Sequence, residues 1–461
     1  MEKTYQNGAT EIGPNTITFN SCINAYARVK QPQKAEDVLR RMIAISVKAS
    51  ENGNDRQRDD IKANTITFNT VLHAWAVSEK RGSATRAQRL FDHMKKLYQA
   101  GNYDVKPDVF SYASVISALA KTGDNHITKN IEVDSSFVER ALNLFDEMER
   151  LFVAGDEDLR PNAVVFSAVI NALARSQRKD SARQAHDLLL KMKNQYCKNE
   201  KDDMICYSSL IGAYSRSEEK YAAEFAVELL NHMVNNDLRP NSQTYCSVIT
   251  ALGRHDKAEE AQMILEDMEI MFASGNDDVQ PNTIIFNAVI GAWARSSDIL
   301  KVDKAQSLLQ RMEAESAKGS TMNEPDIITY NSVINTAANS FGSRKLKKKA
   351  ILVAMDNFKK VLFFDNIQQT SITYFLCVKA IRKLRSPGTT HDEILSKVFK
   401  LCCRDGLVNQ RILTQLEMTC GDKKMKQMMT SLGFSPSKKF SFSAEEIPKE
   451  WKAHVHYNTV V

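Results

Sequence analysis

One short segment recurs nine times along this chain, and that recurrence limits the fold more than any other feature of it. The first two copies read Thr16-Ile-Thr-Phe-Asn-Ser-Cys-Ile-Asn-Ala-Tyr26 and Thr65-Ile-Thr-Phe-Asn-Thr-Val-Leu-His-Ala-Trp75. The aromatic at Phe19 and Phe68 returns at Tyr112, Phe166, Tyr207, Tyr245, Phe286, Tyr330 and Tyr374. Four residues further stands an apolar partner: Ile23, Leu72, Ile116, Ile170, Ile211, Ile249, Ile290, Ile334 and Val378. This spacing places one apolar stripe on a helix, named helix A. A second pattern follows, an alanine with apolar residues at +3 and +4 and methionine at +7. Ala35/Val38/Leu39/Met42 and Ala87/Leu90/Phe91/Met94 are the first two instances and Ala305/Leu308/Leu309/Met312 the last; after Ala350 the signature decays. It marks helix B, whose small residue permits close approach. Neither helix can bury its stripe alone, so neighbouring hairpins must stack. The expectation is an all-α fold, an α-solenoid superhelix of about nine helix–turn–helix repeats.

Punctuation supports that division. Pro14-Asn15, Pro107-Asp108, Pro161-Asn162, Pro240-Asn241, Pro281-Asn282 and Pro325-Asp326 each precede a helix A. Proline stops what comes before, and Asn or Asp is a favoured N-cap. Repeats are expected to start near 16, 65, 109, 163, 204, 242, 283, 327 and 371, after a short lead over 1–15. The array should end near 405, leaving a capping helix and tail over 406–461 with Trp451 packing back. Successive aromatics lie 38 to 54 residues apart, and the excess falls after helix B, in polar stretches such as Ser50 to Asp60 and Gly155 to Asp158. These insertions should lengthen helix B or loop out on one face.

Hydrophobic residues make up 43% of the chain, ample for buried packing, and a net charge of +6 is compatible with a polyanionic partner. No run approaches the roughly 20 apolar residues that span a bilayer. Met1 to Asn15 has neither the apolar core of a secretory signal nor an Arg-rich, acid-poor presequence, which implies cytosol or nucleus unless the natural N-terminus lies elsewhere. The cysteines Cys22, Cys197, Cys206, Cys246, Cys377, Cys402, Cys403 and Cys420 include no C-x-x-C pair, so zinc, redox and disulfide roles are not expected. His391-Asp-Glu393 matches the H-x-E of zinc deaminases, but Cys402-Cys403 lacks the spacing that would complete such a site. His454 and His456 stand apart from any carboxylate or thiol partner. No metal, cofactor or catalytic constellation is expected.

The core Thr-Ile-Thr-Phe-Asn-x-x-Ile-x-Ala-x-Ala-Arg, followed by x-Lys-Ala-x-x-x-Leu-x-x-Met and Pro-Asn/Asp, resembles the pentatricopeptide repeat (PPR) family over about residues 16 to 405. That resemblance implies a non-catalytic adaptor that binds single-stranded RNA one base per repeat, as a monomer, in a mitochondrion or plastid. In the family the fifth residue of a repeat and the residue before the next repeat choose the base together. Carried over, Asn20 with Asn64 implies C or U, Asn69 with Asp108 implies U, Ser167 with Asp203 implies G, and Ser208 with Asn241 implies A. Asn287 with Asp326 implies U and Asn331 with Thr370 a pyrimidine. Ala113 with Asn162 and Cys246 with Asn282 depart from the code, and Phe375 has no reading. The implied core is 5′-(C/U)-U-n-G-A-n-U-(C/U)-3′. At the family's second position Ile17, Ile66, Phe110, Val164, Ile205, Ile284, Ile328 and Ile372 are apolar and suited to sandwich bases; Gln243 is the exception.

A further series is visible without the family. Eight residues after each code position stand Arg28, Lys121, Arg175, Arg216, Arg254, Arg295 and Lys383, broken by Val77 and Asn339. Stacked repeats would align these cations for a phosphate backbone; seven contacts imply a log–log salt slope of about −5. Three plainer readings accompany these features. The Asn and Asp residues serve as N-caps, the cations complement helix C-terminal dipoles, and Ser343-Arg-Lys-Leu-Lys-Lys-Lys349 is a solvated helix start or loop rather than a nuclear address or a phosphate patch. The rival function is a helical scaffold for proteins or peptides.

Overall fold

The computed structural model describes residues 14–51, 60–78, 80–122, 131–176, 178, 180–196, 200–319, 321–364, 367–384, 391–434 and 443–455. These hold nineteen α-helices and no strand. The chain divides into two units at Pro240. The first unit contains five hairpins: α1 (Thr16–Arg28) with α2 (Pro32–Glu51), α3 (Thr65–Val77) with α4 (Ser83–Gln99), α5 (Val109–Thr122) with α6 (Ile131–Val153), α7 (Ala163–Arg175) with α8 (Ser181–Lys191), and α9 (Glu200–Tyr214) with α10 (Ala222–Asn235). The second holds α11 (Ser242–Arg254) with α12 (Ala258–Ala273), α13 (Thr283–Arg295) with α14 (Lys301–Ala317), α15 (Ile327–Ala338) with α16 (Arg344–Phe363), α17 (Ser371–Leu384) with α18 (His391–Arg404), and α19 (Gln410–Ser431). The odd-numbered helices up to α17 are the A helices.

Both stripes are buried. Each recurring aromatic from Phe19 to Tyr374 is inside, as is each apolar partner four residues on. In helix B the alanine and methionine are buried throughout Ala35/Met42, Ala87/Met94, Ala141/Met148, Ala185/Met192, Ala226/Met233, Ala261/Met268 and Ala305/Met312. Burying one such large apolar side chain contributes about 1.5–3 kcal/mol, so the repeated pattern accounts for the stacking. Small residues set the closest approach: a Cβ on Gly253 in α11 would lie 2.7 Å from Ala292 Cβ in α13.

The decay expected after Ala350 is a loss of signature and not of structure. Helix α16 keeps the register with Asn357 in place of methionine, its amide donating to Gln306 Oε1 at 2.7 Å. Helix α18 keeps it with Leu395, Val398, Phe399 and Cys402, all buried. A cysteine fills the methionine position as a small hydrophobe, and burial pushes its thiol pKa well up.

The insertions are built, not loose. Helix B closes on a glycine in the left-handed region, at Gly101 (φ 95°), Gly155 (φ 107°) and Gly275 (φ 98°), which a side chain would strain. A 3₁₀ turn follows over Tyr103–Val105, Glu157–Leu159 and Asp277–Val279, and the last residue of each turn is buried. Of Ser50 to Asp60, residues 52–59 lie outside the described residues. So do 1–13 of the N-terminal lead, Cys197, His456 and the side chain of His391.

Past the last hairpin, α19 turns sharply at Gly421 (φ 73°). Trp451 stacks edge-on against Phe399 and Phe434, with ring centroids 5.8 and 5.7 Å apart. Its carbonyl accepts from Val408 N at 2.8 Å.

Candidate RNA-binding face on the A helices

The N-cap residues do two jobs. Asn15, Asn64, Asn162, Asn241, Asn282 and Asp326 each accept from a backbone amide in the first turn of their helix A. Capping boxes close at Asn15/Thr18, Asn64/Thr67 and Asp326/Thr329, and Asp108 and Ser111 make the same reciprocal pair, at 2.9 and 3.1 Å. Two of the caps, Asp108 and Asp326, also face the code position of the preceding repeat. Asn69 Nδ2 donates to both carboxylate oxygens of Asp108, at 2.9 and 3.0 Å, and its Oδ1 accepts from Ser111 Oγ at 2.6 Å. Asn287 Nδ2 donates to Asp326 Oδ1 at 3.1 Å. Two of the pairs expected to select U are thus in direct contact. Asn20 Oδ1, Asn287 Oδ1 and Asn331 Oδ1 are buried acceptors that no protein donor reaches.

The remaining code positions vary. Ser167 is buried, with its hydroxyl 3.0 Å from Ser209 Oγ, and Ser209 also accepts from Asn171 Nδ2 at 3.1 Å. Asp203 departs from expectation. Helix α9 starts at Glu200 instead of near 204, so Asp203 lies within its first turn and is not the cap before it; its side chain lies outside the described residues. No proline precedes this repeat, and nothing stops the helix from extending backward. Ala113 is buried, Cys246 is half-buried with its thiol pKa raised by burial, and Ser208 and Thr370 are half-buried.

The second positions are the opposite of core. Ile17, Ile66, Phe110, Val164, Ile205, Ile284 and Ile328 are between 43% and 73% exposed, while the aromatics two residues later are buried. Scattered exposed apolar residues need no explanation, but here they fall at one register in seven repeats. Gln243 is exposed too, and Ile372 is half-buried. A cavity of 360 Å³ opens beside Phe110 and Asp108, lined also by Thr65, Lys106, Val109 and Asp158.

The cations end the A helices. Arg28, Arg216, Arg254 and Arg295 are exposed, and Lys121 and Arg175 half-buried. Arg295 is held below its ordinary pKa by partial desolvation and then by Arg254 in the adjacent repeat, which places the two guanidinium groups in one electrostatic neighbourhood. Lys383 Nζ lies 3.3 Å from Asn339 Oδ1, so a cation from the last repeat reaches the break in the series. Arg216 Nε donates to Ala174 O at 3.2 Å and Arg295 to Gly291 O at 3.1 Å; these are contacts of the dipole-complementing kind. A guanidinium has five donors, so such bonds leave others for a phosphate.

A recurring tie that sequence reasoning missed runs between repeats. The first residue of helix A donates its hydroxyl to the loop that feeds the next one. Thr16 reaches Lys62 O (2.9 Å) and Asp60 O (3.2 Å), Thr65 reaches Lys106 O (2.7 Å) and Asp104 O (3.2 Å), Ser242 reaches Gln280 O (3.1 Å) and Asp278 O (3.2 Å), and Thr283 reaches Glu324 O (2.9 Å) and Met322 O (3.2 Å). The hydroxyl residues at that register were the available signal.

Elsewhere, Asp392 of the H-x-E match pairs with Lys424, and Cys402 is enclosed in the core. Among the described residues no three His, Cys, Asp or Glu side chains come together, and no helix is long and apolar enough to cross a membrane. The run from Ser343 is a helix start: Ser343 caps α16, and Lys349 pairs with Asp303 at 2.6 Å.

Family models for the pentatricopeptide repeat domain match residues 54–98 and 228–296, and a model for the PPR repeat matches 17–47. These matched segments are pentatricopeptide repeats. Its curated PPR relatives include a mitochondrial pentatricopeptide repeat-containing protein of Arabidopsis thaliana, 28% identical over 38% of this chain and 26% of that protein. Mitochondrial 15S rRNA processing factors of Schizosaccharomyces japonicus and Yarrowia lipolytica are 31% and 25% identical, over 36% and 40% of this chain and 19% and 23% of theirs. The chain thus matches about a quarter or less of the length of these relatives. Among solved structures, a pentatricopeptide repeat protein in complex with an 18-nucleotide psaJ RNA element is similar at 19% identity with a TM-score of 0.33, covering 94% of this chain and 52% of that one.

Proposed function

We propose that the A-helix face binds single-stranded RNA in a sequence-selective way and that the chain acts as an RNA-processing adaptor in mitochondria. One observation carries the reading: exposed apolar side chains at one register in seven repeats, alternating with polar pairs such as Asn69/Asp108 and Asn287/Asp326. Leaving Ile66 and Phe110 in water has a cost that a base inserted between them removes. The Asn69 amide and the Asp108 carboxylate between them offer a donor and acceptor set to its edge. The cation series supplies phosphate contacts, which position the strand without reading it. The names of the relatives, two of them mitochondrial 15S rRNA processing factors, support organellar transcripts as the substrate class.

The test is a binding titration with two labelled RNAs at two salt concentrations, one carrying 5′-(C/U)-U-n-G-A-n-U-(C/U)-3′ and one a scramble of equal composition. A preference of tenfold or more, with steep salt dependence, is expected. Equal affinity for both would overturn the base assignments, and no binding at low salt would overturn RNA as the ligand. In that last case the rival reading, a peptide scaffold, takes the exposed apolar series as its docking surface.

A further inference from the structure

The cation series at the ends of the A helices breaks twice, at Val77 and at Asn339. Both breaks are followed by clustered cations at the start of helix B. After Val77 the sequence runs Ser78-Glu79-Lys80-Arg81; Lys80 and Arg81, with Arg86 and Arg89, line a cavity of 350 Å³ walled by Trp75, Gln33, Gly82 and Thr85. After Asn339 come Arg344, Lys345, Lys347, Lys348 and Lys349, with no acidic residue from 339 to 349.

Both clusters sit where a helix tolerates cations least. Helix α4 starts at Gly82, in the left-handed region (φ 84°) and without a side-chain cap, and α16 starts with five cations in its first two turns. The N-terminal end of a helix carries partial positive charge, so each added cation there opposes the dipole, and an anion is favoured. At α4 the cavity supplies space for that anion, beside amides that the cap leaves open.

We propose that these two clusters are phosphate sites that bridge the breaks, each taking a phosphodiester of the bound strand where the regular cation is missing. The proposal rests on the RNA-binding reading above. In the second break the neighbouring repeat contributes as well, since Lys383 Nζ reaches Asn339 Oδ1 and Lys379 Nζ reaches Asn335 Oδ1 at 2.9 Å. The ligand is a phosphate in a chain rather than a free anion, because the clusters follow the interruptions of a series that runs through successive repeats.

The experiment is the salt dependence of binding, by fluorescence anisotropy, of an RNA carrying the core sequence flanked by oligouridine. It compares the full chain with Lys80→Gln/Arg81→Gln, with Arg344→Gln/Lys345→Gln, and with Lys48→Gln/Lys318→Gln, which removes two exposed charges from the C-terminal ends of other B helices. Each turn variant should make the log–log slope shallower by about 1.4, two contacts at about 0.7 each, and the control by less than one contact. Thermal melts should not fall in the turn variants, since each loses cations opposed to a helix dipole, and Arg81→Lys should keep the slope. Slopes equal to that of the control, with wild type binding RNA, overturn the proposal. Failure of wild type to bind RNA overturns the reading beneath it. If inorganic pyrophosphate stabilises wild type but not Lys80→Gln/Arg81→Gln, while the RNA slope is unchanged, the cavity is a site for small anions and the bridge is refuted.

Discussion

Asp108 is the residue at which capping and the proposed base selection can be separated. Its carboxylate caps α5 through Ser111 N at 2.9 Å and accepts from Asn69 Nδ2 at both of its oxygens. Asp108→Ala removes the cap, costing about 1 kcal/mol, and leaves a half-buried amide without its acceptor, costing about 1–3 kcal/mol. Asp108→Asn keeps a cap of equal quality and replaces a charged acceptor by a neutral one, costing about 1 kcal/mol. The gap between the two variants is therefore about 2 kcal/mol, or roughly 30-fold in the opening equilibrium of α5 at about 1.4 kcal/mol per tenfold. Native-state hydrogen exchange at the amides from Tyr112 to Ile116 reads that ratio directly. The two variants also separate in RNA binding. Asp108→Asn turns the Asn/Asp pair into Asn/Asn, so the penalty for replacing U by C opposite this repeat should shrink, while overall affinity for the core changes little. Equal protection of α5 in both variants would refute the shared-cap account, and an undiminished U-over-C preference in Asp108→Asn would refute the code assignment at Asn69.

Three further outcomes follow from the packing and the charges. Ile66→Ser and Ile284→Ser should each weaken RNA binding by up to about tenfold, roughly 1 kcal/mol per base, without lowering the melting temperature; anisotropy and a melt check this together. Gly253→Ala gains about 1 kcal/mol of helix propensity but forces a methyl 2.9 Å from the Ala292 backbone, costing about 1–3 kcal/mol, so urea unfolding should show no gain and a net loss is expected. Gly212→Ala meets only the flexible end of Arg216 and should be neutral or stabilising in the same assay. Burial works to raise the Asp405 pKa, but hydrogen bonds from Arg404, Gln369 and Tyr374 outweigh it and hold the group below its usual range. Its stabilising effect is therefore complete above the unfolded carboxylate value near 4 and is lost as pH falls through the folded value. Acid melts of wild type should lose stability relative to Asp405→Asn below about pH 4, and parallel curves would contradict this.

The period-four aromatic pattern made every A helix legible, because a stripe that must be buried leaves little freedom in the element carrying it. Helix B was legible while alanine and methionine kept their places; it faded where Asn357 and Cys402 took the same positions, since a hydrogen-bonded amide or a small thiol can also be buried there. Start positions could be read wherever proline preceded Asn or Asp. They failed at Asp203, where no proline stops α9 from running back to Glu200. The code pairs were visible only through the family resemblance. That Asn69 and Asp108 lie within hydrogen-bond reach depends on how far α5 approaches α3, a distance that no residue pattern states. The left-handed glycines and buried Val105, Leu159 and Val279 that shape the insertions are local signals, hidden by the polar residues around them.

The hydroxyl ties between repeats bear on how a chain of this kind changes length. Thr16, Thr65, Ser242 and Thr283 all bond to main-chain carbonyls, at the same two offsets ahead of the following helix. Main-chain carbonyls are identical in every module, so the joint does not test which module comes next. A duplication or excision in whole units keeps every tie, whereas a cut at any other offset leaves a hydroxyl with no acceptor. Such a joint lets a genome lengthen, shorten or reorder the array by recombination, with the side chains at the joint already suited to any new neighbour.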